Sequence, residues 1–183
     1  MSTAEQPTGI LIRDLAARQP TPGGGAAAAI AAALGAASGA MAARYTTGPK
    51  WADRQAEAET LAETLSSAAT ALLAVADADA SAFAAVGSAR KAGDAAALAV
   101  AEAQAAAIPA ELLSACARHA VALRHFLPHC NPNLASDVWV GLHLLAGAGR
   151  AAYRTLLVNR PDEAALRAAQ TRCAELTAAE ADG

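Results

Sequence analysis

Residues 20–51 read PTPGGGAAAAIAAALGAASGAMAARYTTGPKW. Alanine is the strongest helix former, whereas glycine costs about 1 kcal/mol per residue inside a helix. The stretch therefore predicts a long helix with an unusually bare first turn. It runs to about Tyr45 and stops at Gly48 and Pro49. Thr21 is the expected N-cap and Pro22 the first helical residue. The backbone N–H groups that follow have no helical partners and no side chains to screen them, so they suit an anion or a polar ring edge. A hinge or a tight backbone crossing would also explain three glycines. Gly25 to Ala43 carries no charge and has the length of a membrane span. Its only larger apolar residues are Ile30, Leu34 and Met41, however, and alanine is weakly lipophilic. The better expectation is a buried helix of a soluble bundle, with no membrane partner. The G-x-x-x-G at Gly35 and Gly39 would then let a neighbouring helix come close.

The rest of the chain extends this picture. Its 183 residues are 55% hydrophobic but only 3% aromatic, and alanine dominates the apolar share. Such a core must rely on many close helix contacts and gains from burying another subunit's face. No convincing β-rich run occurs. Residues 9–18 form a short amphipathic helix, and residues 20–25 break it. A long helix is expected from Trp51 to about Ala89, with Leu61, Leu65, Leu72 and Val75 at helical spacing. Asp94 is placed to cap the next, from about Ala95 to Leu127, which Pro109 should kink or interrupt. Asn131 and Pro132 open a helix reaching Val158. Pro161 opens a last one, capped near Asn159 or Arg160. The fold class is all-α: one multihelical bundle of long, partly interrupted helices, occupying 1–183 as a single domain with 1–8 and 178–183 frayed.

Net charge is −3, from 14 basic and 17 acidic residues, with no basic tract to follow a phosphate backbone, so no nucleic-acid partner is expected. Cys116, Cys130 and Cys173 are scattered and lack zinc spacing. Together with the absence of a basic-then-apolar leader, they suggest a cytoplasmic protein. His125, His129 and Cys130 superficially resemble a metal set, but Pro128 breaks the helical face they would need, and no metal is expected.

In an alanine-rich bundle the informative residues are polar groups at core spacing. Asn133 and Asp137 share one helix face. Gly141 follows on it and would leave space above Asp137, forming a pocket wall. A solvated carboxylate supporting the helix start is the alternative. Asp79, in ADADASAF, lies mid-helix one turn before Phe83; a solvated face shared with Asp77 explains it equally. Lys50 could bind a phosphate or carboxylate or simply face water.

These residues fall into a pattern that resembles the cyclodeaminase/cyclohydrolase family. That family includes the C-terminal domain of formiminotransferase-cyclodeaminase and stand-alone methenyltetrahydrofolate cyclohydrolases. The P-x-P-G-G-G segment matches at Pro22, Gly23, Gly24 and Gly25. Met41, Thr46, Gly48 and Lys50 match the methionine and the Thr-Gly-Lys segment that follow. DASAF at Asp79–Phe83 resembles an Asp-x-x-Ala-Phe motif. NPNLASD matches Asn-x-Asn-x-x-Ser-Asp at Asn131, Asn133, Ser136 and Asp137, and Asn159 matches a last asparagine. Ala26 stands where the family has serine, and Thr155 where it has asparagine.

The resemblance implies an all-α homodimer with a folate site near the subunit interface. It implies no cofactor beyond the tetrahydrofolate substrate. Asp137 would be the catalytic carboxylate, with Asn133 and Ser136 beside it. Gly23, Gly24, Gly25, Lys50, Asp79, Asn131 and Asn159 would bind substrate. The glycine start would lie beside Asp137. Because no formiminotransferase part is fused to it, hydrolysis of 5,10-methenyltetrahydrofolate to 10-formyltetrahydrofolate ranks slightly ahead of formimidoyltetrahydrofolate cyclodeamination with release of ammonia. A non-catalytic folate- or partner-binding bundle is the third reading.

Overall fold

The computed structural model describes residues 7–181. They form six α-helices and, among the described residues, no strand. The helices are α1 (Thr8–Ala16), α2 (Gly24–Arg44), α3 (Gln55–Ala92), α4 (Ala95–Phe126), α5 (Ala135–Val158) and α6 (Glu163–Glu180), with short 3₁₀ turns before α3 and α5. The all-α expectation is met.

The alanine-rich helix is the centre of the bundle. α2 packs chiefly on α3 and α5; α4 fills the space between them, and α6 lies on α4 and α5. Two glycine contacts set the spacing. A Cβ on Gly35 would meet the Gly141 carbonyl oxygen at 2.8 Å, and one on Gly141 would meet that of Gly35 at 2.8 Å. A Cβ on Gly39 would strike Leu123 of α4 at 2.6 Å. Gly35 and Gly39 thus admit neighbouring helices as expected. The space over Gly141, expected to be a pocket, is instead filled by the α2 backbone. Leu65, Leu113, Leu123, Leu142, Leu145, Leu156 and Leu176 supply the bulk that alanine cannot.

Three other local expectations change. α2 begins at Gly24 with extended Gly23 as its N-cap, not at Thr21 and Pro22, whose peptide bond is cis. No local side chain caps it; a residue of α3 takes that part, as described below. α6 is capped by Asp162, whose side chain accepts from the Ala165 N–H, because Asp162 is the first short polar residue after Pro161. Residues 178–180, expected to fray, are helical. Ala179 is buried, and the Glu180 carboxylate pairs with Arg150 and His143 of α5. Most of the frayed stretch assigned to 1–8 lies outside the described residues.

By length and composition α2, α3 and the stretch Ala95–His129 could each cross a membrane. The bundle covers 61% of the apolar window in α2 but only 11% and 22% of the other two. α3 outruns α2, so the joint between α3 and α4 projects past the start of α2. Phe83 and Val100 are exposed on that projection. The fold therefore leaves much uncharged helix surface open.

Candidate functional site

The projecting pair of helices, the start of α2 and the end of α5 enclose a cleft of about 890 Å³. Gly24 and Gly25 form its floor. α3 contributes Asp79, Phe83 and Arg90, and α5 contributes Arg154, Thr155 and Asn159. Asp79 is the inner polar group. A Cβ on Gly25 would lie 2.2 Å from Asp79 Oδ1, so only glycine lets the carboxylate reach the helix start. There the Ala26 N–H donates to it. Asp79 thus caps α2 from another helix, which explains why no local cap is needed. Burial pushes the Asp79 carboxyl above its ordinary value, and the Ala26 hydrogen bond only partly offsets this. The bare helix start is therefore already occupied on one side by a carboxylate with a raised proton affinity.

Asn159 ends α5 and lines the same cleft. Its Nδ2 donates to the Ala105 carbonyl at 3.3 Å and to the Thr155 carbonyl at 3.5 Å. Ala105 is four residues before Pro109, and proline has no N–H to give it. Pro109 neither interrupts α4, which is one continuous helix, nor leaves its freed carbonyl unpaired. Arg160 follows with φ +50°, a left-handed position at the helix end where glycine is usual. Arg154 and Arg160 line the cleft and form no ion pair among the described residues, whereas Arg90 is held by Glu102 at 2.9 Å.

The second group of expected residues lies at the other end of α2. Thr46 is buried; its hydroxyl donates to the Ala42 carbonyl and accepts from the Asn131 N–H at 2.9 Å. Asn131 Nδ2 donates to the Tyr45 carbonyl, and its Oδ1 accepts from the Asn133 N–H. Its side-chain amide is thereby committed to backbone. Asp137 sits half-buried in the first turn of α5, and its backbone carbonyl accepts from the Ser38 hydroxyl at 3.0 Å. Asn133 and Ser136 are exposed beside it, and the ammonium of Lys50 lies over the Trp51 ring at 5.0 Å. Ser38 is fourteen residues beyond Gly24, about 20 Å along the helix at 1.5 Å per residue. Within one chain, then, the glycine start does not lie beside Asp137. The fold gathers Gly24, Gly25, Asp79 and Asn159 at one end. Gly23 immediately precedes them as the N-cap. Lys50, Asn131, Asn133, Ser136 and Asp137 belong to the other end.

Sequence reasoning missed Arg154, Arg160 and Ala105. The interior proline was the available signal for Ala105. Nothing local marked the arginines: Arg154 on α5 and Arg160 just beyond its end reach the cleft through the packing of α5 on α2.

The fold is shared with known proteins. Residues 8–175 match the family model described as formiminotransferase-cyclodeaminase. The chain belongs to the formiminotransferase-cyclodeaminase family. A crystal structure of formiminotetrahydrofolate cyclodeaminase from Thermotoga maritima is similar over 96% of this chain and 90% of that one, with a TM-score of 0.85 at 26% identity. Among curated proteins, none matches. Membership in the formiminotransferase-cyclodeaminase family makes the protein folate-related and of cyclodeaminase type.

Proposed function

We propose that the protein is a formimidoyltetrahydrofolate cyclodeaminase, with Asp79 as its proton-exchanging group. The observation that carries this reading is the placement of Asp79. It is a carboxyl with raised proton affinity, set against a helix start without side chains, in a cleft of a family member. The likeness to a cyclodeaminase structure favours ammonia release over the hydrolysis ranked first from sequence.

In the reaction, the N10 lone pair attacks the formimidoyl carbon on N5 and a tetrahedral carbon forms. That carbon bears an amino group, which leaves as ammonia once protonated, giving the 5,10-methenyl cation. A carboxyl with raised proton affinity can take the N10 proton and pass it to the leaving nitrogen. As a carboxylate it then stabilises the cation that forms. No step calls for a cofactor beyond the folate itself. Arg154 and Arg160 are suited to the glutamate carboxylates of the substrate tail.

The second group of residues enters through a homodimer. The outer stripe of α2, Ala27, Ile30, Ala31, Leu34, Ala37 and Met41, carries no charge, and Leu34 at its middle is 59% exposed. A helix apolar on all sides is normally covered on all sides. A second copy packed antiparallel across Leu34 would set the Arg44 end of one α2 beside the Gly24 end of the other. Asp137, Asn133, Ser136, Asn131 and Lys50 of one copy would then approach the cleft of its partner. Asp77 and Asp79 inside α3 argue for a protein partner rather than lipid on the open surface. A cytoplasmic location suits a folate enzyme of this kind.

The test is to offer 5-formimidoyltetrahydrofolate and 5,10-methenyltetrahydrofolate separately and follow the methenyl chromophore. Its appearance from the first supports the proposal. Its loss from the second alone restores the cyclohydrolase reading. No change with either leaves a folate- or partner-binding bundle.

A further inference from the structure

We infer that Pro109, buried in α4, is a positioning residue that sets which end of the Asn159 amide the cleft presents. This inference rests on the cleft being the substrate site. Pro109 cannot donate to the carbonyl four residues earlier, so the Ala105 oxygen keeps a free lone pair inside a continuous helix. Asn159 fills that need with Nδ2 at 3.3 Å, and the same Nδ2 lies 3.5 Å from the Thr155 carbonyl. Both partners are acceptors, so flipping the amide would set oxygen against oxygen. Nδ2 is thus committed to the protein, and Oδ1 is left as the polar atom for the cleft. A hydrogen-bond donor is what such an atom recognises. The cleft selects a ligand N–H at this point, and an amino or imino nitrogen fits where a carbonyl oxygen would be repelled.

The experiment restores the missing donor. Pro109→Val keeps bulk in the core, and Pro109→Ala removes it; both give residue 109 an N–H for the Ala105 carbonyl and free Asn159 to rotate. With 5-formimidoyltetrahydrofolate as substrate, either variant is expected to raise KM about tenfold, roughly the worth of one hydrogen bond, with melting temperature held or raised. Asn159→Ala should have a similar effect alone and almost none when added to Pro109→Val, because both changes remove one interaction. An unchanged KM in both proline variants would overturn the inference, as would multiplicative effects in the double variant. The Asn159 side-chain amide signals in ¹⁵N spectra provide a readout independent of turnover. They should move to solvent-exposed values in Pro109→Val, and signals that stay in place would also overturn it. Moved signals in a protein that turns over neither folate would keep Pro109 as the group that orients Asn159 and remove only the enzymatic reading.

Discussion

Two adjacent glycines in the first turn of α2 have different tasks. Nothing lies within 4 Å of a Cβ on Gly24, whereas one on Gly25 would overlap the Asp79 carboxyl. Gly24→Ala should stabilise the protein by up to about 1 kcal/mol through helix propensity alone. Gly25→Ala should destabilise it by about 1–3 kcal/mol and lower activity about 100-fold, because Asp79 must move. Urea unfolding and turnover of both variants check this. Asp79 also makes a pH prediction. A carboxyl whose folded pKa is raised binds more protons folded than unfolded as pH climbs from its ordinary 3.8 to the raised value. Stability therefore falls across that window and remains lowered above it. Asp79→Asn lacks this titration, so its stability relative to wild type should rise with pH through the window and then level off. Paired denaturant titrations at several pH values will show it. A flat difference would mean that Asp79 is not desolvated.

At the scale of the element, α6 shows how a helix read as frayed becomes anchored. Glu180 accepts from Arg150 and lies 3.0 Å from His143 Nδ1, and the Arg150 guanidinium holds the Glu180 carboxyl below its ordinary 4.5. A lowered folded pKa contributes stability above that ordinary value, lost as pH falls through the folded one. Glu180→Gln should cost about 1 kcal/mol at neutral pH. The difference should vanish in acid, as urea midpoints at the two pH values would show. On α2 the element-scale prediction concerns the uncharged outer stripe. Leu34→Glu replaces its most exposed large residue without touching the core. The variant should stay folded, sediment as a monomer and lose turnover, because the Asp137 group would no longer reach a partner's cleft. A monomeric variant with full activity would place the whole site within one chain.

For the whole molecule, much of the architecture was legible in advance. Proline, glycine and capping residues mark helix ends through local backbone chemistry, so the five joints between the six helices were readable. Gly35 and Gly39 announced close packing because a missing side chain has few other uses inside an alanine helix. Pro109 misled for the same local reason: its lost hydrogen bond looked like a break until Asn159, fifty residues away, supplied a donor to Ala105. The gap over Gly141 misled because an empty position on one helix cannot tell a pocket from a neighbour's backbone. Family motifs identified Gly24, Gly25, Asp79, Asn131, Asn159 and Asp137 together, and order along the chain offered no means of dividing them.

By itself, the sequence determined the all-α class, the long alanine helix with its stripped first turn and the family pattern, since these depend on propensity, periodicity and local motifs. Only the tertiary structure decided that Asp79 caps that turn, that Asn159 answers the proline in α4, and that Asp137 lies at the far end of α2 from the glycines. These are contacts between segments distant in the chain. They are set by how closely helices approach and at what level they cross, which no local pattern specifies.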